Sequence, residues 1–304
     1  MRNRLNSVDF IGRTQIDFVS VVIPVFKNNI GLRNTLISLR QQSMNKDNFE
    51  IIVVNDGGCR NIEMLCRDFK VFCFSINPRR GSYNARNIGL KHSKGEYLAF
   101  IDAGTIADRQ WLRSGMIALK KDEYVGGPVQ IIKPPNKKIS DILFVYQKAT
   151  SFDVEEYMTK LHFAPTTNLF VRREVIERLG GFDQRLKSGG DWEFGDRVRN
   201  SGLFSQKYIR DVRVYHYARS YESLTRKIER VSRAQGNLIK LYPQRFKTVR
   251  GKILFAVVKA IFSPFSLLSK PSMSSLNFLE KIKLIFIAYY FKLVSVFHYI
   301  YKLE

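Results

Sequence analysis

Acidic residues are in short supply. The chain of 304 residues has 27 Asp and Glu against 50 Lys and Arg, a formal charge of +23. That balance calls for an anionic partner: nucleic acid, an acidic membrane surface or a phosphorylated substrate. Cysteine is scarcer still. Cys59, Cys66 and Cys73 stand seven apart without a CxxC pair, which excludes a disulfide framework and a cysteine zinc site and favours reduced thiols in a cytosolic setting. The first seventeen residues are polar and lack the apolar stretch of a secretory signal. A clean apolar run of about 20 residues, the length a membrane-spanning helix needs, is missing too. No internal repeat is apparent.

What is present is an apolar content of 45%, which argues against disorder, and a length that holds one large domain or two modest ones. "VSVVIPVF" (19–26), "FEIIVVND" (49–56), "VFCFS" (71–75) and "YLAFID" (97–102) are short continuous apolar runs that predict buried strands. Between them, Ile30, Leu32, Leu36 and Leu39 repeat at helical spacing. "SYNARNIGLKHS" reads as a helix capped by Ser82, and "RQWLRSGMIALKK" as another, with Asp108 before it as N-cap. Strands alternating with helices in this way predict a parallel α/β sheet with right-handed crossovers. Beyond Lys121 the rhythm loosens. "GGPVQII" reads as a strand, 134–165 has weak periodicity, and "TTNLFVRREVIERLGGFD" reads as strand, helix and Gly-Gly stop. "GGDWEFGDRVRNSG" enters a short helix ending at Gly202, "KYIRDVRVYHYA" alternates like an edge strand, and "ESLTRKIERVSRAQGNLIKLY" is a charged helix.

Ligands of such sheets bind beyond the carboxyl ends of the strands. Asp56, Asp102 and the Pro24–Lys27 turn all fall at strand ends, so they are expected to line one crevice.

These stretches also have a familiar order. "VSVVIPVFKN", "IIVVNDGG", "GSYNARNIGLKHSKGEYLAFIDA", "TTNLFVRREVIERLGGFD", "SGGDWEFGDRV" and "VRVYHYA" together resemble a family 2 glycosyltransferase with the GT-A fold, over residues 18 to 218. The resemblance implies a Rossmann-like, mostly parallel sheet flanked by helices. It also implies inverting transfer of a sugar from a nucleotide-diphosphate donor to a hydroxyl. Pro24, Val25, Phe26, Asp56, Arg86, Asp102 and Ala103 are then donor-binding residues, with Asp56 accepting from the nucleobase. Asp102 stands as the first acid of the family's D-x-D motif, which holds Mg2+ or Mn2+ against the diphosphate; such an ion neutralises the leaving group's charge as a Lewis acid. His216 matches a histidine that completes the metal or diphosphate contacts. Asp191 stands as the general base, an aspartate being ionised at neutral pH. Trp192, Glu193 and Arg197 are candidate acceptor contacts.

Two departures from the family pattern matter. Gly104 replaces the second acid of D-x-D, and Gly190 replaces the Glu of a motif that often reads Glu-Asp. Magnesium commonly binds through one or two carboxylates plus phosphates and water, so either Asp102 suffices or the site has lost its metal. Asp56, Asp102 and Asp191 also have plain structural readings as turn or capping residues.

The carboxyl-terminal part is different in kind. From Tyr217 to Glu304 there are sixteen basic and four acidic residues. Two apolar stretches, 253–269 and 284–301, each carry an internal lysine, and Pro264 interrupts the first. A stripe of Lys281, Ala288, Lys292, Ser295, Tyr299 and Lys302 predicts an amphipathic helix lying in an anionic membrane interface. Packing on the catalytic domain and a membrane span are the alternatives. The expected organisation is an N-terminal arm (1–17), a catalytic domain (18–218) and a basic helical extension (219–304), the protein being cytoplasmic and peripheral at the inner face of a membrane. The expected acceptor is a glycan or lipid-linked intermediate. A catalytically silent GT-A domain used for binding is the second reading. A nucleic-acid-binding protein is the third, and it lacks any recognisable binding motif.

Overall fold

The computed structural model describes residues 8–135, 138–246, 267–268 and 276–300. Inside its large sheet runs β1 (Gln15–Val25), whose last eight residues are all buried. The strand lies between two parallel neighbours, β2 (Phe49–Asp56) and β4 (Gly95–Phe100). Coverage on both faces is why these strands read as continuous apolar runs and do not alternate. β3 (Phe72–Ile76) pairs parallel with β2 at one edge. On the other side, β8 (Leu169–Arg172) runs antiparallel to β4 and to β6 (Tyr124–Gly126), and β9 (Gln206–Tyr208) pairs parallel with β6. The order is β3-β2-β1-β4-β8-β6-β9. Four of the six pairings are parallel, so the sheet is mostly parallel. A small second sheet has the order β5 (Thr105–Ala107), β10 (Val214–Tyr217), β7 (Val129–Ile132).

The chain divides into two compact units, 1–130 with 152–216 and 131–151 with 217–304. In the first, α1 (Asn29–Arg40) buries Leu32, Leu36 and Leu39 as the spacing predicts, while Ile30 faces solvent. α2 (Arg60–Asp68) follows β2 in the chain. α3 (Ser82–His92) lies so close to β1 that a Cβ on Gly89 would stand 2.4 Å from Val22 Cγ1. α4 (Trp111–Leu119) buries Trp111, whose Nε1 donates to Asn168 Oδ1 at 2.8 Å. Phe182 makes ring contacts with Phe100 and with Phe194 of α8 (Gly190–Ser201), at 5.2 and 5.0 Å. These rings seat the start of α8 over the sheet. α7 (Arg173–Leu179) completes the set along β4 and β8.

Several sequence expectations change in detail. Ser82 is the first residue of α3 and caps nothing; Gly81 is the N-cap. Gln110 caps α4, and Asp108 instead receives N–H from Gln110 and O–H from Tyr215. "KYIRDVRVYHYA" forms two strands, β9 and β10, in different sheets. The weakly periodic 134–165 segment holds two helices, α5 (Asp141–Thr150) and α6 (Val154–Lys160), capped by the side chains of Ser140 and Asp153.

The second unit is helical and includes residues 131–151, which the sequence reading places in the catalytic domain. α5 packs Leu143 and Tyr146 against Leu224 and Ile228 of α9 (Tyr221–Leu241) and Ile287 and Phe291 of α10 (Phe278–Ile300). The stripe expected to be the polar face of α10 partly turns inward. Ala288 is buried, and Ser295 shares a 2.9 Å hydrogen bond with Ser232 of α9. Among the described residues, no helix is long and apolar enough to cross a membrane. The 253–269 stretch lies almost wholly outside the described residues, as does Lys302.

Candidate active site

The carboxyl edge of the large sheet brings chemistry together through one segment. β2 delivers Asp56 to its end, buried to 3% exposure. Its two carboxylate oxygens accept the backbone N–H groups of Arg80 (2.7 Å) and Gly81 (2.9 Å), just before α3, with the Arg79 guanidinium 3.7 Å away. Arg79 also lies over the Phe26 ring at 4.1 Å, and a Cβ on Gly57 would meet that ring at 2.9 Å. Gly57 is therefore required where the loop passes the aromatic face. Of the turn residues, Pro24 and Val25 are buried within β1, and Phe26 and Lys27 are exposed to solvent.

One turn further along α3, Arg86 is buried and its Nη2 contacts Asp102 Oδ1 at 2.6 Å. Asp102 keeps 45% of its side chain exposed. The Nε of Arg86 is buried without an acceptor among the described residues, a shortfall that proteins rarely tolerate without reason. Asp191 sits in the first turn of α8 with some access to solvent. Protein packed around it raises its pKa above the ordinary aspartate range; nearby Arg86 pulls the value down and Asp102 pushes it up. Asp191 and Asp102 thus lie within each other's electrostatic reach.

Tyr83, which the sequence reading passes over, ties this group together. Its hydroxyl accepts the Gly190 N–H at 2.9 Å and donates to Asp191 Oδ1 at 3.4 Å, and burial pushes the phenol well above its usual range. A Cβ on Gly190 would stand 2.8 Å from the Tyr83 ring. The missing Glu therefore has a packing reason: the tyrosine occupies its place. Residues 79–86 alone touch all three carboxylates, Arg79, Arg80 and Gly81 at Asp56, Tyr83 at Asp191 and Arg86 at Asp102. The signal for Tyr83 lies in the sequence only as a pair, a bulky ring in one motif matched by a glycine in another.

Gly104 has a backbone reason. Its φ is +106°, a conformation that side-chain-bearing residues seldom adopt. The turn is held by Thr35 Oγ1, which accepts Gly104 N–H at 2.9 Å, and by Asn28, whose Nδ2 donates to Ala103 O at 2.9 Å. Asn28 Oδ1 also caps α1. His216 pairs in register with Thr105 across β10 and β5, and its ring lies tilted against Phe152 at 5.6 Å. Among the described residues no three His, Cys, Asp or Glu side chains are grouped to hold a metal ion. The fit to a divalent cation is accordingly that of a single partly exposed carboxylate, Asp102.

On the far side of Asp191, Trp192 stacks on Phe163 at 6.0 Å, and Phe163 on Tyr157 at 5.2 Å. Glu193 and Arg197 form an ion pair at 2.8 Å, with Glu193 only 1% exposed. Arg197 also donates to the carbonyls of Leu179, Gly180 and Gly181. These two side chains fasten α8 to the end of α7, a structural part where the resemblance implies acceptor contacts. Two surface hollows on this unit, one around Ser38 and Arg109, the other around Asp108 and Arg213, include none of the three carboxylates.

A mostly parallel sheet with flanking helices defines the GT-A fold. The chain belongs to glycosyl transferase family 2, whose family model matches residues 20–180. It is 31% identical over 227 residues to the glycosyltransferase AglE of Haloferax volcanii, covering 72% of this chain and 73% of the relative. It is 26% identical to the probable glycosyltransferase YdaM of Bacillus subtilis, covering 81% and 62%. Among solved structures it resembles the mannosyltransferase PcManGT of Pyrobaculum calidifontis in complex with GDP-Man and Mn2+, with a TM-score of 0.64 and 18% identity over 98% of this chain and 91% of the other. S. aureus TarS 1-349 in complex with UDP-GlcNAc gives 0.55 and 15% over 94% and 90%.

Proposed function

We propose that the protein transfers a sugar from a nucleotide-diphosphate donor to a hydroxyl of a glycan or lipid-linked acceptor, with inversion, at the inner face of a membrane. The observation that carries this reading is the convergence of Asp56, Asp102 and Asp191 on the single segment 79–86. The base and phosphates of the donor lie along Phe26, Asp56 and Arg79, then Arg86, Asp102 and Ala103. The under-satisfied guanidinium of Arg86 supplies positive potential where a diphosphate needs it. Structural neighbours solved with GDP-Man or UDP-GlcNAc support a nucleoside diphosphate sugar as donor.

Asp191 takes the proton of the acceptor hydroxyl as that oxygen bonds to the anomeric carbon; the bond from that carbon to the diphosphate oxygen breaks, and the diphosphate departs with the electron pair. Its raised pKa makes Asp191 a stronger base than an exposed aspartate. Tyr83 fixes the carboxylate's direction. Trp192 and Phe163 offer stacked ring faces beside it for the acceptor. Mg2+ or Mn2+ would be held by Asp102 and by His216 of β10, with phosphate and water completing its shell, and would supply Lewis-acid neutralisation of the leaving diphosphate.

Gly104 and Gly190 motivate the second reading, a binding domain without turnover. Nucleotide release from a panel of UDP- and GDP-sugars with manganese, for the wild type and Asp191→Asn, separates the two. Release by the wild type that falls in the variant supports Asp191 as base. Equal release by both removes it, and donor binding without release favours the silent domain.

A further inference from the structure

The second unit has a face that the reaction does not use. Phe278, Leu279, Phe286, Leu293 and Phe297 of α10 each expose 66–77% of their surface. Leu279, Phe286, Leu293 and Phe297, with the exposed Tyr290 between them, recur in steps of three, four and seven. They form one stripe about 27 Å long at 1.5 Å per residue. It lies opposite the seam of Leu284, Ala288, Phe291 and Ser295 that packs on α9 and α5. Soluble proteins seldom leave so many large apolar side chains contiguous on one surface without a partner for them.

Charge identifies the partner. α9 carries Arg226, Arg230, Arg233 and Lys240 on its exposed side, again at three-, four- and seven-residue spacing. α10 carries Lys281, Lys283 and Lys292 against a single acid, Glu280. That acid is already engaged: Glu280 Oε2 accepts the Asn277 N–H and Asn277 Oδ1 accepts the Glu280 N–H, both at 2.9 Å, a reciprocal capping box. Two copies meeting along the stripe would bring Lys283 of each towards like charge with no free carboxylate on the helix to offset it. A bilayer rich in anionic headgroups meets both requirements, since it takes up apolar rings at its boundary and pairs with the basic side chains.

We infer that the exposed stripe of α10, with the basic side of α9, docks this protein on an anionic bilayer surface without crossing it. The face is the reverse of the one read from the sequence, because the small and polar positions Ala288 and Ser295 are turned inward. The inference stands on the second unit and does not depend on the sugar-transfer reading.

The test is flotation of the full chain with vesicles of phosphatidylcholine alone or mixed with phosphatidylglycerol. The wild type is expected to float with the mixed vesicles and to be released by salt. Leu279→Ser, Phe286→Ser and Leu293→Ser combined should lower partitioning by about tenfold or more, with far-ultraviolet circular dichroism unchanged. Arg226→Gln, Arg230→Gln and Arg233→Gln combined should remove the preference for anionic lipid. Asp191→Asn should float like the wild type, which separates docking from the reaction. The inference is overturned if the wild type stays in solution with mixed vesicles, or if the apolar triple variant floats undiminished. It is overturned equally by a concentration-dependent dimer, lost in that variant, in a protein that never floats.

Discussion

The two units solve opposite burial problems. The sheet unit covers its strands on both faces and draws charge inward: Glu50, Asp56, Arg86, Arg173, Asp183 and Glu193 are all buried. Each has partners. Arg173, for example, donates to the carbonyls of Gly95 and Ser93, and Ser20 Oγ donates to Glu50 at 2.7 Å. In the helical unit none of the described charged residues is buried, and large apolar side chains stand contiguous in solvent along α10. A sheet between helix layers can enclose long apolar runs completely, whereas helices sharing one seam leave their outer faces uncovered. Inside the sheet unit charge therefore holds segments in position; on the helical unit it shapes a surface.

That contrast predicts how substitutions will act. The largest effect belongs to Asp191→Asn, expected to lower kcat by about 10²–10⁴-fold, the usual contribution of a general base. Its folded pKa is raised, so its stabilising contribution is present below the ordinary aspartate value and is lost as pH rises through the folded value. Above the ordinary aspartate value the group therefore becomes a burden on the fold. The same variant should then melt higher at pH 7 than the wild type, a gap that closes on acidification. The wild-type rate should also fall on acidification at a higher pH than an exposed aspartate would give.

Next in size is Arg197→Met, which strands buried Glu193 and should cost about 3–5 kcal/mol in denaturant unfolding. Activity per folded molecule should survive, because the pair holds α8 and does not face the donor. Tyr83→Phe should cost about 1–3 kcal/mol by leaving the Gly190 N–H without an acceptor. It should also shift the acid limb of the rate profile to higher pH, since Asp191 loses a donor; an unmoved limb would show that Tyr83 only packs. The smallest effect is expected on α10, where Leu293→Ser should change stability by no more than about 0.5 kcal/mol. A large loss there would mean that the stripe is covered in the folded protein, and the contrast between the units would fail.

The strands were readable because double-sided burial writes itself as unbroken apolar runs, as in 19–26 and 49–56. The candidate carboxylates were readable because each stands at a strand end or before a helix in a motif of known order. Less was visible where the stabilising partner is remote. The caps of α5 and α6, Ser140 and Asp153, were present but sat in a stretch with little periodicity. Glu193 and Arg197 read as site residues in line, while the structure pairs them with each other and carries Arg197 to carbonyls sixteen to eighteen residues upstream. The α10 stripe reads as polar from its lysines, while the small side chains between them turn inward, Ala288 buried and Ser295 bonded to Ser232 of α9.

By itself the sequence determined the fold class, the order of elements, the acids at 56, 102 and 191 and the basic character of the last third, all matters of local pattern and composition. Only the tertiary structure decided that segment 79–86 would join those acids, that Tyr83 would stand where a glutamate is missing, and which face of α10 would meet solvent. These depend on contacts between residues far apart in the chain, such as Tyr83 with Asp191 and Tyr146 with Phe291, and no local pattern encodes which side chain will fill a space that another leaves.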